Sequence, residues 1–254
     1  QGARTGLISA VGDDLFGHQI LEFCRLERID TAAVRVDRNH PTGLVYIDPD
    51  PAERRFFYAR NGSAASHVGP DHLPDALLAG ARVLHITGVS LAISQTMRSA
   101  VLRAAKIAKA NGRLVSFDLN FRESLWPPDE ARTVVETLLP LADFVLPSAD
   151  EVAALTGITD TPDILRHFGR HGAQAVILKQ GSDGAVVSDG NTVTRIPPVP
   201  VVAVDSSGAG DSFAGAFLAH HLETNDLVTA ATRAAEVAAA TVTGWGATAA
   251  IPWR

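Results

Sequence analysis

The chain has almost no sulfur chemistry to offer. Among 254 residues there is one cysteine, Cys24, and one methionine. A lone cysteine excludes an intrachain disulfide and fits a reducing compartment, so the cytoplasm is the expected home. Cys24 lies in an amphipathic stretch and reads as a small buried apolar residue rather than a nucleophile. Positive charge is also short. The formal net charge is -6 and no Lys/Arg block occurs, which argues against a nucleic-acid surface. No apolar run reaches the length of a membrane span, and Gln1-Gly2-Ala3-Arg4 shows no signal-peptide pattern. Walker A, His-Glu-x-x-His and paired-cysteine patterns are all lacking, so a P-loop nucleotide site, a zincin and a zinc-cysteine site have no support. His167 and His171 have helical i, i+4 spacing but no evident third ligand, and they read as a solvated helix end. His220-His221 reads the same way. There is no internal repeat, and no compositional bias beyond an alanine-rich last third.

What is present is globular. Hydrophobic residues make up 46% and charged residues 20%, ample for a core. The length suits one α/β domain, 1-254, with at most a small appendage. Apolar strand-like runs alternate with helical ones. Thr5 to Val11 opens the chain. Val83–Ile86 precedes a helix of Ser94–Ala110, Leu114–Phe117 precedes Asp129–Leu138, and Phe144–Leu146 precedes Ala149–Leu155. A helix over Pro162–His171 leads to Ala175–Leu178. Short all-apolar strands in such alternation predict a parallel sheet covered on both faces. Ligands then sit beyond the carboxyl ends of the strands, where Asp118, Ser148, Lys179 and Asp205 fall. Two regions differ. Thr42 to Tyr58 holds two strand-like pieces around Asp48-Pro49-Asp50-Pro51, a small antiparallel excursion at about 42-60 suited to a lid. Ala185 to Ile196, with a turn at Asp189-Gly190-Asn191, reads as a hairpin. Leu227 to Thr243 reads as helix.

Ser206-Ser207-Gly208-Ala209-Gly210-Asp211 is the most informative stretch. An apolar run, Val199 to Val204, leads into it, and a helical pattern, Ser212 to Leu222, follows. A small-residue turn at a helix start aims backbone N–H groups at one spot, and the helix dipole adds positive potential. Asp211 sets a proton acceptor beside that anion site. Donors for developing negative charge next to a base are what phosphoryl transfer to a hydroxyl requires. The same residues also suit a plain strand–helix connection in which glycines permit the turn and Asp211 favours the helix start.

Together with this turn, Lys179-Gln-Gly181-Ser-Asp-Gly184, Ser148-Ala-Asp-Glu151 and Gly12-Asp-Asp-Leu-Phe-Gly17 resemble, in order, the ribokinase (PfkB) family of carbohydrate kinases. Pro41-Thr-Gly43, Tyr58-Ala-Arg60-Asn-Gly-Ser-Ala-Ala-Ser66 and Asp118-Leu-Asn120-Phe-Arg122 are similar to the 2-keto-3-deoxygluconate kinases within it. The resemblance implies a ribokinase-like three-layer α/β sandwich with a mainly parallel sheet and a small β lid. It also implies a first core strand and a glycine-rich sugar-binding segment ahead of the point where this chain picks up. It implies Asp211 as general base and the N–H groups of Gly208, Ala209 and Gly210 as an anion hole. Glu151 would help position Mg2+, through water. Lys179, Gly181 and Gly184 would contact ATP, with Asn120 and Arg122 near its phosphates. Tyr58, Arg60 and Arg122 would hold a sugar acid, the arginine forks matching a carboxylate. Asp205 would shape the turn or adjoin a monovalent cation. A homodimer through the lid is the expected assembly. Three alternatives stay open: a kinase for a neutral sugar of the fructose or ribose type, a nucleotide-binding dehydrogenase, and a non-catalytic relative.

Overall fold

The computed structural model describes residues 1–48 and 55–252. In chain order, β1 (Ser9–Gly12), α1 (Leu15–Leu26) and β2 (Val34–Asp37) form a βαβ unit. β3 (Leu44–Asp48) and β4 (Arg55–Ala59) follow. Next come α2 (Asp75–Gly80), β5 (Val83–Thr87), α3 (Gly88–Ile93), α4 (Gln95–Ala110), β6 (Leu114–Asp118) and α5 (Pro128–Leu138). The chain continues with β7 (Phe144–Leu146), α6 (Ala149–Thr156), α7 (Thr161–Gly169), β8 (Ala175–Lys179), β9 (Ala185–Ser188) and β10 (Val193–Ile196). It closes with α8 (Ala209–Thr224) and α9 (Leu227–Thr241).

The main sheet has the order β10-β9-β8-β7-β6-β5. β5 to β8 run parallel, and β9 and β10 are antiparallel. Its inner strands β7, β8 and β9 are buried almost throughout because both faces of the sheet are covered. On β8, Val176 and Leu178 join a core with α4, α5, α6 and α7, while Ala175 and Ile177 join a second core with α8 and α9. On β7, Val145 belongs to the first core, and Phe144 and Leu146 to the second. This strict alternation is the period-two geometry of a strand. The result is three layers, helices on either side of a mainly parallel sheet, as expected from the sequence. Phe144 meets Phe217 of α8 edge-on at 5.7 Å between ring centres, an arrangement that aromatic quadrupoles favour.

Two smaller sheets stand apart from this one. β1 pairs parallel with β2, Ser9 opposite Val34. β3 pairs antiparallel with β4, Val45 opposite Tyr58 and Tyr46 opposite Phe57. The second is the excursion expected at 42–60, and the predicted Asp48-Pro49-Asp50-Pro51 turn lies outside the described residues after Asp48. Asp14 fixes the root of this sheet. Its carboxylate accepts the Gly17 N–H and so caps α1, and it also accepts the Thr42 N–H and hydroxyl, each at 2.8 Å. Those donors hold the Asp14 carboxyl below the usual carboxylate range.

Three expectations change. The apolar run Val199 to Val204 is not a strand: it is irregular and exposed, Val202 85% so. Pro197, Pro198 and Pro200 crowd this segment, and proline has no N–H for a ladder. Asp205 therefore does not end a strand. The single helix predicted from Ser94 gains a partner ahead of it, α3, because Ser94 breaks the run. Its hydroxyl accepts the Met97 N–H at 3.0 Å as the cap of α4. Thr5 to Val11 pairs as a strand only from Ser9, with one isolated bridge at Gly6.

Candidate active site

The parallel strands β6 and β8 end in opposite charges. Lys179 Nζ donates to Asp118 Oδ2 at 2.7 Å, across the end of β7, and the two side chains are 12% and 2% exposed. Burial of both partners, with other donors at hand, makes this pair a fixed part of the sheet end. Asp118 Oδ1 also accepts the Asn120 N–H at 3.2 Å. That bond accompanies a left-handed backbone at Asn120 (φ 37), which a short polar side chain tolerates. The Asn120 Oδ1 atom is itself buried without a partner.

Two residues further on, Arg122 Nη1 donates to Glu151 Oε1 at 2.9 Å. Glu151 stands in the first turn of α6 and is buried. Burial pushes its carboxyl above the ordinary value; Lys179 and Arg122 oppose that shift and Asp118 adds to it. Its second oxygen, Oε2, is buried with no partner. The strand ends thus carry one cluster: Asp118, Lys179, Arg122 and Glu151.

The glycine-rich turn starts α8. Gly208, its N-cap, has φ 75, and a Cβ there would come within 2.5 Å of the Ala247 carbonyl oxygen, so only glycine fits. Asp205, buried, clamps the turn from below: Oδ1 accepts the Ser207 N–H at 2.7 Å and Oδ2 the Gly246 N–H at 2.9 Å. Both bonds serve the turn-shaping role expected of it. A Cβ on Gly210 would meet Lys179 Nζ at 3.5 Å. The ammonium therefore lies against the backbone at the positive end of α8. Asp211 follows in the first turn, exposed, with no hydrogen bond or ion pair to the described residues. Of the three N–H groups expected to face an anion, that of Ala209 is directed to the Ser206 carbonyl at 3.3 Å. Those of Gly208 and Gly210 make no hydrogen bond to the described residues.

Gly181 and Gly184 shape the connection from β8 to β9. A Cβ on Gly184 would collide with the Ile196 carbonyl oxygen, and the Gln180 N–H donates to Gly184 O at 2.9 Å. This tight connection fixes where β8 stops and so where Lys179 points.

Tyr58 and Arg60 belong to a second group at the root of the β3–β4 sheet. The Ala64 N–H donates to Pro41 O at 2.8 Å and the Ser63 N–H to Arg60 O at 3.0 Å, joining Pro41-Thr42-Gly43 to the Arg60–Ser66 loop. The Arg60 guanidinium makes no hydrogen bond or ion pair to the described residues, nor does any bond join it to the strand-end cluster.

Sequence reasoning missed Asp118 as the counter-ion of Lys179, and His85 altogether. His85 Nδ1 lies 3.1 Å from Ser116 Oγ, its register partner on β6. Solvent reaches its ring at the outer edge of β5, yet protein atoms crowd it. That crowding pushes the imidazole below its ordinary value, Lys179 adding to the shift and Asp118 and Asp211 opposing it. The one signal was a histidine breaking an apolar strand.

A family model described as pfkB family carbohydrate kinase matches residues 1–254. The chain belongs to this family. It is therefore placed among carbohydrate kinases, phosphotransferases with an alcohol acceptor, and the dehydrogenase alternative is set aside. It is 37% identical over 227 residues to the 2-dehydro-3-deoxygluconokinase of Thermoproteus tenax, covering 87% of this chain and 68% of the relative. Fructokinase-1 of Zea mays is 34% identical over 220 residues, covering 85% and 68%. The chain thus spans about two thirds of the length of these relatives. Among solved structures, an Escherichia coli protein described as a ribokinase II, in complex with ATP and Mg2+, superposes with a TM-score of 0.91. It is 30% identical, and the match covers 99% of this chain and 80% of that one. The fold is accordingly ribokinase-like. Among the described residues no group of three His, Cys, Asp or Glu could hold a metal ion. Magnesium keeps most of its waters and needs few carboxylates, so Glu151, with a buried oxygen still lacking a donor, fits it. No helix among the described residues is long and apolar enough to cross a membrane.

Proposed function

We propose that the chain transfers the terminal phosphoryl group of ATP to a hydroxyl of a sugar acid of the 2-keto-3-deoxygluconate type. One observation carries the reading: the Lys179 ammonium lies against Gly210 at the positive end of α8, with the exposed Asp211 carboxylate one residue on. Charge stabilisation and a proton acceptor meet at one point.

The chemistry follows from those groups. Asp211 takes the proton from the acceptor hydroxyl as its oxygen bonds to phosphorus. The bond from phosphorus to the bridging oxygen breaks, and ADP carries off the electron pair. The Gly208 and Gly210 N–H groups and Lys179 hold the transferring oxygens, without rearranging when charge develops there. Glu151 is the residue that would hold magnesium, which would neutralise phosphate charge when bound. Asn120, Gly181 and Gly184 line the nucleotide side. Tyr58, Arg60 and Arg122 receive the acceptor. Asp205, with or without a monovalent cation beside it, keeps the turn rigid. The β3–β4 sheet acts as a lid that keeps water from competing for the phosphoryl group, and it is the face through which two copies pair.

Two facts support a sugar acid: the identity to the 2-dehydro-3-deoxygluconokinase of Thermoproteus tenax and an Arg60 guanidinium with no hydrogen bond or ion pair among the described residues. The near-equal identity to a fructokinase favours the second reading, a neutral ketose acceptor. A coupled assay of ADP release decides, with 2-keto-3-deoxygluconate, fructose and ribose as acceptors. Turnover of the acid well above fructose is expected; the reverse order overturns the acceptor, and no turnover on any sugar overturns the kinase itself. Asp211→Asn should lower kcat by roughly 10²–10⁴-fold with an unchanged melting temperature, since its carboxylate bonds to none of the described residues.

A further inference from the structure

The strand-end cluster holds two cation–carboxylate pairs that are built differently. Lys179 and Asp118 are both deeply buried. In the other pair Glu151 is buried, but the Arg122 side chain is 41% exposed, and its one further bond is to the adjacent Phe121 carbonyl at 2.8 Å. Arg122 is thus free to swing outward where Lys179 is not. Glu151 is also half-satisfied. Oε1 accepts from Arg122, while Oε2 is buried without a donor, an unfavourable state for a carboxylate oxygen. A hydrated divalent cation would supply that donor and more charge than a guanidinium does. Arg122 and Glu151 are also the two residues on which the proposed reaction makes competing demands, since Nη1 is engaged by both Glu151 and the Phe121 carbonyl and only the rest of the guanidinium is left for an incoming anion.

We propose that Arg122 is a resident stand-in cation: uptake of a divalent metal at Glu151 displaces its guanidinium and delivers it to the anionic group of the incoming ligand. No covalent bond changes; one ion pair is exchanged for two. The proposal rests on Glu151 being the metal-positioning residue, as read above. It makes metal and anion bind with positive coupling, which must be reciprocal.

The test follows free Mn2+ by its electron paramagnetic resonance signal as the metal is titrated into the wild-type protein, Arg122→Gln, Arg122→Lys and Glu151→Gln. Each titration is run alone, with 2-keto-3-deoxygluconate and with sulfate as a phosphate surrogate, and circular dichroism checks the fold. Wild-type protein should bind Mn2+ about five-fold more tightly with a coupled anion present. Arg122→Gln should bind the metal about five-fold more tightly without any anion and show no coupling. Arg122→Lys, whose ammonium cannot fork, should move the same way by less, which keeps the test alive if the glutamine variant fails to fold. Coupling to the acid alone or to sulfate alone says which anion receives the guanidinium; coupling to neither overturns the exchange. If Arg122→Gln binds Mn2+ no better while Glu151→Gln loses it, the exchange fails and the metal reading stands. If Glu151→Gln binds Mn2+ like the wild type, the metal reading falls, and the exchange with it.

Discussion

Glu151 shows how a single side chain is set against its own stability. Its carboxyl is buried, one oxygen lacks a donor, and burial raises its pKa above the ordinary value of 4.5. The sign of the linkage is definite. A carboxyl whose folded pKa lies above its unfolded pKa adds stability while protonated, and that stability is lost as pH rises through the folded pKa. At neutral pH the ionised Glu151 therefore opposes folding. Glu151→Gln, which keeps an acceptor for Arg122, should melt higher than the wild type at neutral pH, with the gap closing as pH falls toward 4.5. In an activity titration the same variant should need far more magnesium. A melting temperature that drops at neutral pH would show that the Arg122 bond outweighs the burial cost. Asp118 and Lys179 illustrate a different residue-scale fact. Their pairing joins positions 61 apart in the chain, so neither residue carried a sign of the other in the sequence.

At the scale of elements, the connection between β8 and β9 does more than turn the chain. Gly184 has φ 89 with the Ile196 carbonyl where a side chain would go. Gly184→Ala should cost about 2 kcal/mol or more in denaturant unfolding and raise KM for ATP, because a displaced β8 end moves Lys179. A stable variant with unchanged KM would separate the turn from the site. The hairpin of β9 and β10 was legible beforehand, since apolar runs flanked a turn of Asp189, Gly190 and Asn191. So were the core strands, whose runs are apolar because both faces are covered, and the turn of residues 206–211 that starts α8. Val199 to Val204 misled for a physical reason. Hydropathy reads side chains, whereas the three prolines act by removing backbone donors. The break at Ser94 was hidden likewise, because a cap depends on one hydroxyl rather than on a pattern. Asp118 and Lys179 were legible as polar residues at strand ends. Which carboxylate took which cation was a matter of tertiary distance, and His85 looked like any interruption of a strand.

On the scale of the whole molecule, the β3–β4 sheet is unusual in showing apolar side chains to solvent on both faces. Val45 and Ile47 are exposed on one face, and Tyr46 and Phe57, register partners, on the other. The proposed lid would use one such face for its ligand, and the proposed pairing of two copies would cover the other. Tyr46→Lys combined with Phe57→Lys should therefore convert a dimer to monomers in sedimentation velocity, and a wild-type protein that sediments as a monomer at micromolar concentration removes the pairing. The opposite end of the chain contributes by a different route. Asp205 reaches to Gly246, so the segment after α9 straps down the turn in front of α8. That carboxylate bonds backbone N–H groups on either side of the turn, so in the proposed reaction it sets how much freedom the turn's donors surrender in each catalytic cycle. Its worth should appear as activation entropy: in Asp205→Ala, an Eyring analysis of kcat should show a more unfavourable entropic term, the mark of a site that has to be assembled anew for every turnover.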